Sequence, residues 1–256
     1  MIPKILHLCW LSGDAYPTKI AKCIDSWKRI LPDYEIVLWD THRFDLNQSQ
    51  WVKQAFEKKK YAFAADYIRF YALYTMGGIY LDSDVEVLKR FDDLLDLPYF
   101  VGAEKAGTPE AAIMGAEQGC SWIKQCLDYY EGRNFIKENG SLDIRKLPEI
   151  MVEQIRKIKP IRVLSLEESK NIRTQDFDKE VLILNDAFFS PKVFDSREVE
   201  LTPYTYAIHH YQNSWFSPKA KFYYRFRTVL IRFFGYKYVR KAECFLMPWK
   251  FKAQNA

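Results

Sequence analysis

No window of the 256-residue chain holds eighteen uninterrupted apolar residues, which argues against a membrane-spanning helix. Met1 to Gly13 carries no charged start, long apolar run or small-residue cleavage site. The sequence therefore predicts a protein that stays in the compartment where it is made. Cysteine is sparse and odd in number. Cys9, Cys23, Cys120, Cys126 and Cys244 form no CxxC pair, and the four histidines are too scattered for a structural zinc site. A reduced, cytoplasmic setting is expected. Neither internal repeats nor low-complexity segments occur, so a solenoid is excluded.

What is there is a composition of 48% hydrophobic, 28% charged and 16% aromatic residues. Such a chain can bury a sizeable core and is too apolar for disorder. Its length suits one catalytic core with an appendage. Charge marks the appendage. Between Phe216 and Lys252 ten lysines and arginines face one acid, Glu243, a balance of +9. With +5 for the whole chain, everything else carries about −4. The expected division is a core over residues 1–215 and a basic, aromatic C-terminal segment over 216–256.

Ile5 to Trp10 reads as a buried strand running into the Ser12-Gly13 loop. Ile20, Ile24, Trp27 and Leu31 recur near helical spacing until Pro32-Asp33, and a second strand follows from Tyr34 to Trp39. This strand, helix, strand order predicts an α/β fold with parallel neighbours. Helices are expected over 48–58 and 61–76, the second closed by Gly77-Gly78 as a C-cap. Ile79 to Leu81 then forms a short strand. Further on, strands are expected over 99–103, 161–166, 181–184 and 206–210, and helices over 121–130 and 147–158. Residues 133–145 and 171–179 are polar, aperiodic and expected to be surface loops.

The short strand ends on Asp82-Ser83-Asp84, at the carboxyl edge of a sheet, where open α/β sheets bind ligands. In extended geometry residues two apart share a face, so both carboxylates point the same way. Two such charges call for a cation, and a hard divalent ion with a bound phosphate fits them. A solvated turn is the plainer reading of Asp-x-Asp alone, but the buried Gly-Gly-Ile-Tyr-Leu in front favours a site. Asp66 and Arg69, three apart on the 61–76 helix, share a face. By themselves they could equally be a surface ion pair.

Together these residues amount to a resemblance. Ile2 to Trp10, Trp27, Tyr34 to Asp40, the run Tyr61-Ala62-Phe63-Ala64-Ala65-Asp66-Tyr67-Ile68-Arg69-Phe70 and Gly77-Gly78-Ile79-Tyr80-Leu81-Asp82-Ser83-Asp84 resemble the glycosyltransferases with a DXD sugar-binding motif. That family includes bacterial capsule and lipopolysaccharide sugar transferases, yeast initiating α-mannosyltransferases and, distantly, the glucosylating toxins. The likeness covers roughly the first hundred residues, and Trp215, within the run His209 to Trp215, resembles its closing motif. It implies a GT-A fold, a Rossmann-like mixed sheet flanked by helices, and transfer of a hexose with retention at the anomeric carbon.

Residue by residue, the resemblance implies that Asp66, Arg69, Asp82 and Asp84 are catalytic. Leu8, Trp10, Asp66, Arg69, Asp82, Ser83, Ser214 and Trp215 would bind the nucleotide-sugar donor, with Trp10 stacked on the base. A core role is the alternative for Trp10. Asp84 and His210 would hold the metal, Mn²⁺ or Mg²⁺. His210 is chosen over His209 because Tyr206, Ile208 and His210 share one face of a strand.

In the basic segment, Phe222, Tyr223, Tyr224, Phe226, Phe233, Phe234, Tyr236, Tyr238 and Trp249 are interleaved with cations. Such a stretch can lie on an anionic bilayer or pack as a helix on the core, and both stay open. Nucleic acid would accept it electrostatically but is not expected as a partner. The combined reading is a metal-dependent glycosyltransferase peripheral to the inner membrane face, taking a UDP-sugar by preference and acting on a saccharide or lipid-linked acceptor in surface polysaccharide assembly. The alternatives are a protein-modifying transferase and a non-catalytic basic module.

Overall fold

Strand, helix and strand open the chain, two helices follow, and four strands in succession then lead to the middle of the sequence. The computed structural model describes residues 1–105, 107–192, 198–212 and 218–246. In chain order the elements begin with β1 (Ile5–Cys9), α1 (Thr18–Ile30), β2 (Glu35–Trp39), α2 (Gln50–Glu57), α3 (Tyr61–Met76), β3 (Gly78–Leu81) and β4 (Val85–Val87). Next come β5 (Tyr99–Ala103), β6 (Pro109–Ala116), α4 (Ser121–Asp128), α5 (Leu147–Ile155), β7 (Ile161–Val163), α6 (Leu166–Lys170), β8 (Val181–Ile183) and β9 (Ala207–His209). Two helices, α7 (Pro218–Phe234) and α8 (Tyr236–Leu246), close the described chain.

The main sheet has the order β2-β1-β3-β6-β5. β1 pairs in parallel with both β2 and β3, whereas β6 runs antiparallel to β3 and to β5. The fold is therefore mixed α/β: within the main sheet the first three strands are parallel neighbours, and β7 pairs in parallel with β8 in a separate two-stranded sheet. Alternation along β1 divides the core into two layers. Leu6 and Leu8 face Ile20, Ile24 and Trp27 of α1, while Ile5 and Cys9 join the opposite layer with Phe63, Ile68 and Phe70 of α3.

The described residues among 1–191 and 200–210 form one compact unit, and those among 192–199 and 211–246 form a second. In the second unit α7 and α8 form a hairpin turned at Gly235, whose φ of +80° is open to glycine. Ile231 and Val239 are buried there, and Arg227 Nε donates to Glu243 Oε1 at 2.6 Å.

Several elements depart from expectation. The strand expected over 161–166 ends at Val163, because Ser165 caps α6: its side chain accepts from Glu168 N while Glu168 reaches back to Ser165 N. β4 is a short strand not expected, paired antiparallel with β9. β6 is the largest omission. Its Pro-Glu-Ala-Ala-Ile-Met-Gly-Ala sequence is poor in β-branched residues, yet every position is buried. Small residues are needed here, since a Cβ on Gly115 would lie 2.2 Å from the Phe100 ring.

The turn from α3 into β3 is as tight as its two glycines suggest. Gly77 N donates to Leu73 O at 2.9 Å, and a Cβ on Gly78, at φ +105°, would lie 2.8 Å from Ile5 O. His7 fastens the same corner. Trp39 Nε1 donates to its Nδ1 at 3.1 Å, so Nε2 carries the proton and donates to Gly77 O at 2.7 Å. Burial lowers the His7 pKa to about 4. Between pH 6.5 and 4 the unfolded chain thus binds a proton that the folded ring refuses, so stability falls as the solution is acidified. At pH 5 the loss through this ring is about 1.6 kcal/mol relative to pH 6.5. Urea unfolding across that range checks it, because in His7→Gln this part of the slope disappears.

Candidate active site

α3 is apolar on most sides, as a helix enclosed by core must be, yet it carries two buried charges. Arg69 is 4% exposed and Asp66 9%. Arg69 Nη2 donates to Asp66 Oδ1 at 2.9 Å and lies 3.4 Å from Asp82 Oδ1, while Nη1 donates to Ala111 O at 2.6 Å. Its guanidinium also sits 4.6 Å from the centre of the Tyr80 ring. Tyr80 donates its hydroxyl to Asp82 Oδ1 at 2.9 Å. Helix α3, strands β3 and β6 and the first aspartate of the pair are therefore joined through one cation.

Burial raises the Asp66 carboxyl to about 7, Arg69 pulling it down and Asp82 pushing it further up. Burial works against the charge on Arg69, but Asp82, Tyr80 and Asp66 outweigh it and raise its pKa. The Cys9 thiol faces the same cluster from β1. Burial pushes it far above its ordinary value despite Arg69, which leaves it a neutral filler and not a nucleophile.

Asp82 and Asp84 come together by a different geometry from the extended one expected. Val85 N donates to Asp82 O at 3.0 Å, so Asp82 to Val85 form a turn joining β3 to β4, with Ser83 half-buried in it. α1 holds the far side of this turn. Trp27 Nε1 donates to Val85 O at 2.7 Å, and Ser26 Oγ accepts from Val87 N at 2.9 Å.

β9 brings two histidines to β4 on opposite sides. His209, opposite Val85, has Nε2 3.5 Å from Asp84 Oδ1. His210, expected to be the metal ligand, turns instead to Glu86, with Nε2 2.8 Å from Glu86 Oε2. The alternation was sound, but β9 ends at His209, and the register with β4 gives that residue the aspartate. Burial disfavours charge on His209, yet Glu110 and Asp84 overcome it and hold its pKa well above the ordinary value.

One ligand atom each from Asp82, Asp84 and His209 lies within 4.8 Å of the others. Two ligands across an ion at about 2.1 Å are about 4.2 Å apart, so small side-chain movements would let the trio share a cation. Two carboxylates and an imidazole suit a divalent first-row metal such as Mn²⁺, or Mg²⁺ with fewer protein ligands. The donor set fits the group that the aspartate pair calls for.

Trp10 stands just beyond β1, level with Ser83 when the β1–β3 register is continued. It is half-buried, donates Nε1 to Asp14 O at 2.8 Å and meets the Tyr16 ring edge-on at 5.0 Å. With Ser12, Leu38, Asp40 and His42 it lines a cleft of about 470 Å³. Leu8 does not belong to this cleft. At 2% exposure it packs in the layer under α1, because alternation along β1 turns it away from Cys9 and the charged cluster. Ser214 and Trp215 lie outside the described residues. Glu110, on the unexpected strand β6, was missed; an acid inside a run of small apolar residues was the available signal.

Residues 17–101 match the family described as the glycosyltransferase sugar-binding region containing DXD motif. Inositol phosphoceramide mannosyltransferase 3 of Schizosaccharomyces pombe is 32% identical over 130 residues, 49% of this chain and 36% of that protein. Mannosyl phosphorylinositol ceramide synthase SUR1 of Saccharomyces cerevisiae is 32% identical over 108 residues, 40% of this chain and 27% of that protein. The chain thus spans about a third of the length of these curated relatives. Uncharacterized glycosyltransferase L373 of Acanthamoeba polyphaga mimivirus is 27% identical over 185 residues, 66% of this chain and 72% of its own. Among solved structures, the galactosyltransferase LgtC in complex with donor and acceptor sugar analogs aligns with a TM-score of 0.44 at 12% identity, covering 88% of this chain and 94% of that one.

The support of the aspartate turn by α1 can be tested without any ligand. Trp27→Phe leaves the Val85 carbonyl without its indole donor and opens a small cavity, at an expected cost of about 2–4 kcal/mol. Chemical denaturation measures it, and an unchanged midpoint would show that α1 does not hold β4.

Proposed function

From a chain that carries a glycosyltransferase sugar-binding region with a DXD motif, we propose a metal-dependent, retaining transferase of the GT-A type that moves a hexose from a nucleotide-sugar to a saccharide or lipid-linked acceptor. The observation that carries this reading is the meeting of Asp82, Asp84 and His209 within 4.8 Å, beside a buried guanidinium. A UDP-linked donor is the first to try. GDP-mannose stands beside it, since two of the relatives are named for mannosyl transfer. Those names also mention inositol phosphoceramide, which favours a lipid as acceptor over free sugar. A role in surface polysaccharide assembly is kept as part of the proposal.

Each residue has a part in this scheme. Asp84 and His209 hold the cation, and Asp82 joins them while also meeting the donor's ribose or sugar. When bound, the ion supplies Lewis-acid stabilisation of charge on the leaving diphosphate. Arg69 adds fixed positive charge, oriented before the reaction begins by Asp66, Tyr80 and the Ala111 carbonyl, so little reorganisation is needed. Asp66, neutral part of the time near pH 7, can donate as well as accept a hydrogen bond to a sugar hydroxyl. Trp10 offers a ring face to the base in the 470 Å³ cleft. Ser83 is assigned to the donor's phosphates, and Ser214 and Trp215 to closing over them. The acceptor hydroxyl is taken to attack on the face the diphosphate leaves.

Binding of UDP and of GDP, each with and without Mn²⁺, tests this directly by thermal shift. The expected result is stabilisation by one nucleotide that requires the metal and vanishes in Asp84→Asn. Transfer by that variant in saturating Mn²⁺ should fall by at least about 100-fold, a loss of about 2.7 kcal/mol in transition-state binding. Near-normal turnover would remove the metal from the scheme.

The proposal extends to an anionic membrane surface as partner. On α7, Phe222, Phe226, Val229 and Phe233 follow helical spacing and are 74, 56, 47 and 78% exposed, within a segment of net charge +9. Rings at the headgroup level with cations around them suit such a surface. No helix among the described residues is long and apolar enough to cross a membrane. The full chain should sediment with vesicles containing phosphatidylserine at low salt. Replacing Phe222, Phe226 and Phe233 by Ser should abolish this, whereas unchanged sedimentation would end the membrane reading.

A further inference from the structure

Glu110 is the most deeply buried acid near the candidate site, at 2% exposure, and lies outside the residues that match the family. It enters from β6, the strand least legible in the sequence. Its Oε2 is 3.2 Å from His209 Nδ1 and accepts from Ser190 Oγ at 2.6 Å, while Oε1 accepts from Ala112 N at 3.0 Å. Three donors from three parts of the chain thus fix the carboxylate in place. Burial opposes its charge, but His209, Ser190 and Ala112 keep its pKa below the usual range.

A carboxylate at Nδ1 can only accept there, so His209 must hold a proton on Nδ1. The other ring nitrogen, Nε2, is the one 3.5 Å from Asp84 Oδ1. We propose that Glu110 is a positioning residue for the cation site: by taking the Nδ1 proton as a hydrogen bond it fixes the ring plane and tautomer of His209 and turns the Nε2 lone pair toward the ion shared with Asp82 and Asp84. Carboxylate–histidine–metal relays of this kind raise the basicity of the ligand and hold its orientation, and losing the outer partner commonly costs 10–100-fold in metal affinity. This rests on the reading of Asp82, Asp84 and His209 as a cation site.

Ser190 and Ala112 are what make the role specific. A carboxylate tied only to His209 could follow the ring through its rotamers. Anchored at both oxygens, Glu110 gives the ring one direction to face, and an imidazole 14% exposed has little room to find another.

The test uses the full chain and Mn²⁺ alone, with binding read from the electron paramagnetic resonance signal of free Mn²⁺. Glu110→Ala should weaken binding by about 10–100-fold. Glu110→Gln keeps an acceptor for Nδ1–H and should lose less, which also guards against a variant that fails to fold. His209→Gln should weaken Mn²⁺ as well, and adding Glu110→Ala in that background should cost no more than His209→Gln alone. With Co²⁺ in place of Mn²⁺, the wild type should show a hyperfine-shifted exchangeable proton from His209 Nδ1 that exchanges faster in Glu110→Gln. Equal Mn²⁺ affinity in Glu110→Ala and wild type, with Asp84→Asn weakened, overturns the positioning role alone. So does a further loss from Glu110→Ala in the His209→Gln background. A wild type that binds no more tightly than Asp84→Asn overturns the cation site and this role with it.

Discussion

A guanidinium taken almost wholly out of water is the constraint on which the rest of the molecule depends. Arg69 cannot lose its proton, so the fold must surround it with acceptors, and it does so with Asp66, Asp82, the Ala111 carbonyl and the face of Tyr80. Those partners come from α3, β3 and β6. Helix and sheet are therefore held in register at this point by charge as well as by packing. Removing one member of such a group leaves its partner charged and buried, which is far more costly than the intact group is stabilising. Residues that would look like an ordinary ion pair on a surface helix, where about 0–1 kcal/mol is at stake, thus become a fixed feature of the core.

The aspartate turn follows from this arrangement. Asp82 is drawn to one side by Arg69 and Tyr80, and Asp84 to the other by His209. Two like charges in one short turn would repel, and each meets a different partner from a different element. Asp82 keeps 28% of its side-chain exposure, so one side of the pair remains open to solvent. β4 holds the turn through Trp27 and Ser26. It is a three-residue strand that could not persist alone, and it persists because α1 and β9 take its backbone groups.

Much of this was legible in the sequence, and the reason is locality. α3, β3, the double glycine and the Asp-Ser-Asp run are contiguous, and periodicity with turn chemistry reads contiguous features well. Tyr61–Met76 and Tyr99–Ala103 were expected to the residue. The failures at β6 and at the histidines depended on pairing partners far along the chain. β6 is a strand because β3 and β5 pair with it on both sides, not because Ala, Met and Gly favour extended backbone. The choice between His209 and His210 turned on where β9 stops and on its register with β4, which a facing argument within one strand does not contain. Leu8 shows the converse: alternation along β1 was readable, but only the position of α1 says which face is core. Glu110 was hidden for the same reason as its strand.

Both halves of the site are therefore finished by the part of the chain that the family pattern does not reach. Residues 17–101 supply Asp66, Arg69, Asp82 and Asp84, but β6 supplies the carbonyl that accepts from Arg69 Nη1 and the carboxylate that meets His209. One strand of small residues can serve both because its backbone approaches closely enough to accept a hydrogen bond from α3 while a single long side chain reaches β9. A bulkier β6 would push the sheet away from Arg69 and open the His209 pocket together. A small residue at Gly115 is a requirement of the Phe100 ring packed against it. The motif supplies the acids, and the placement of His209 beside them is completed by a strand with no motif of its own.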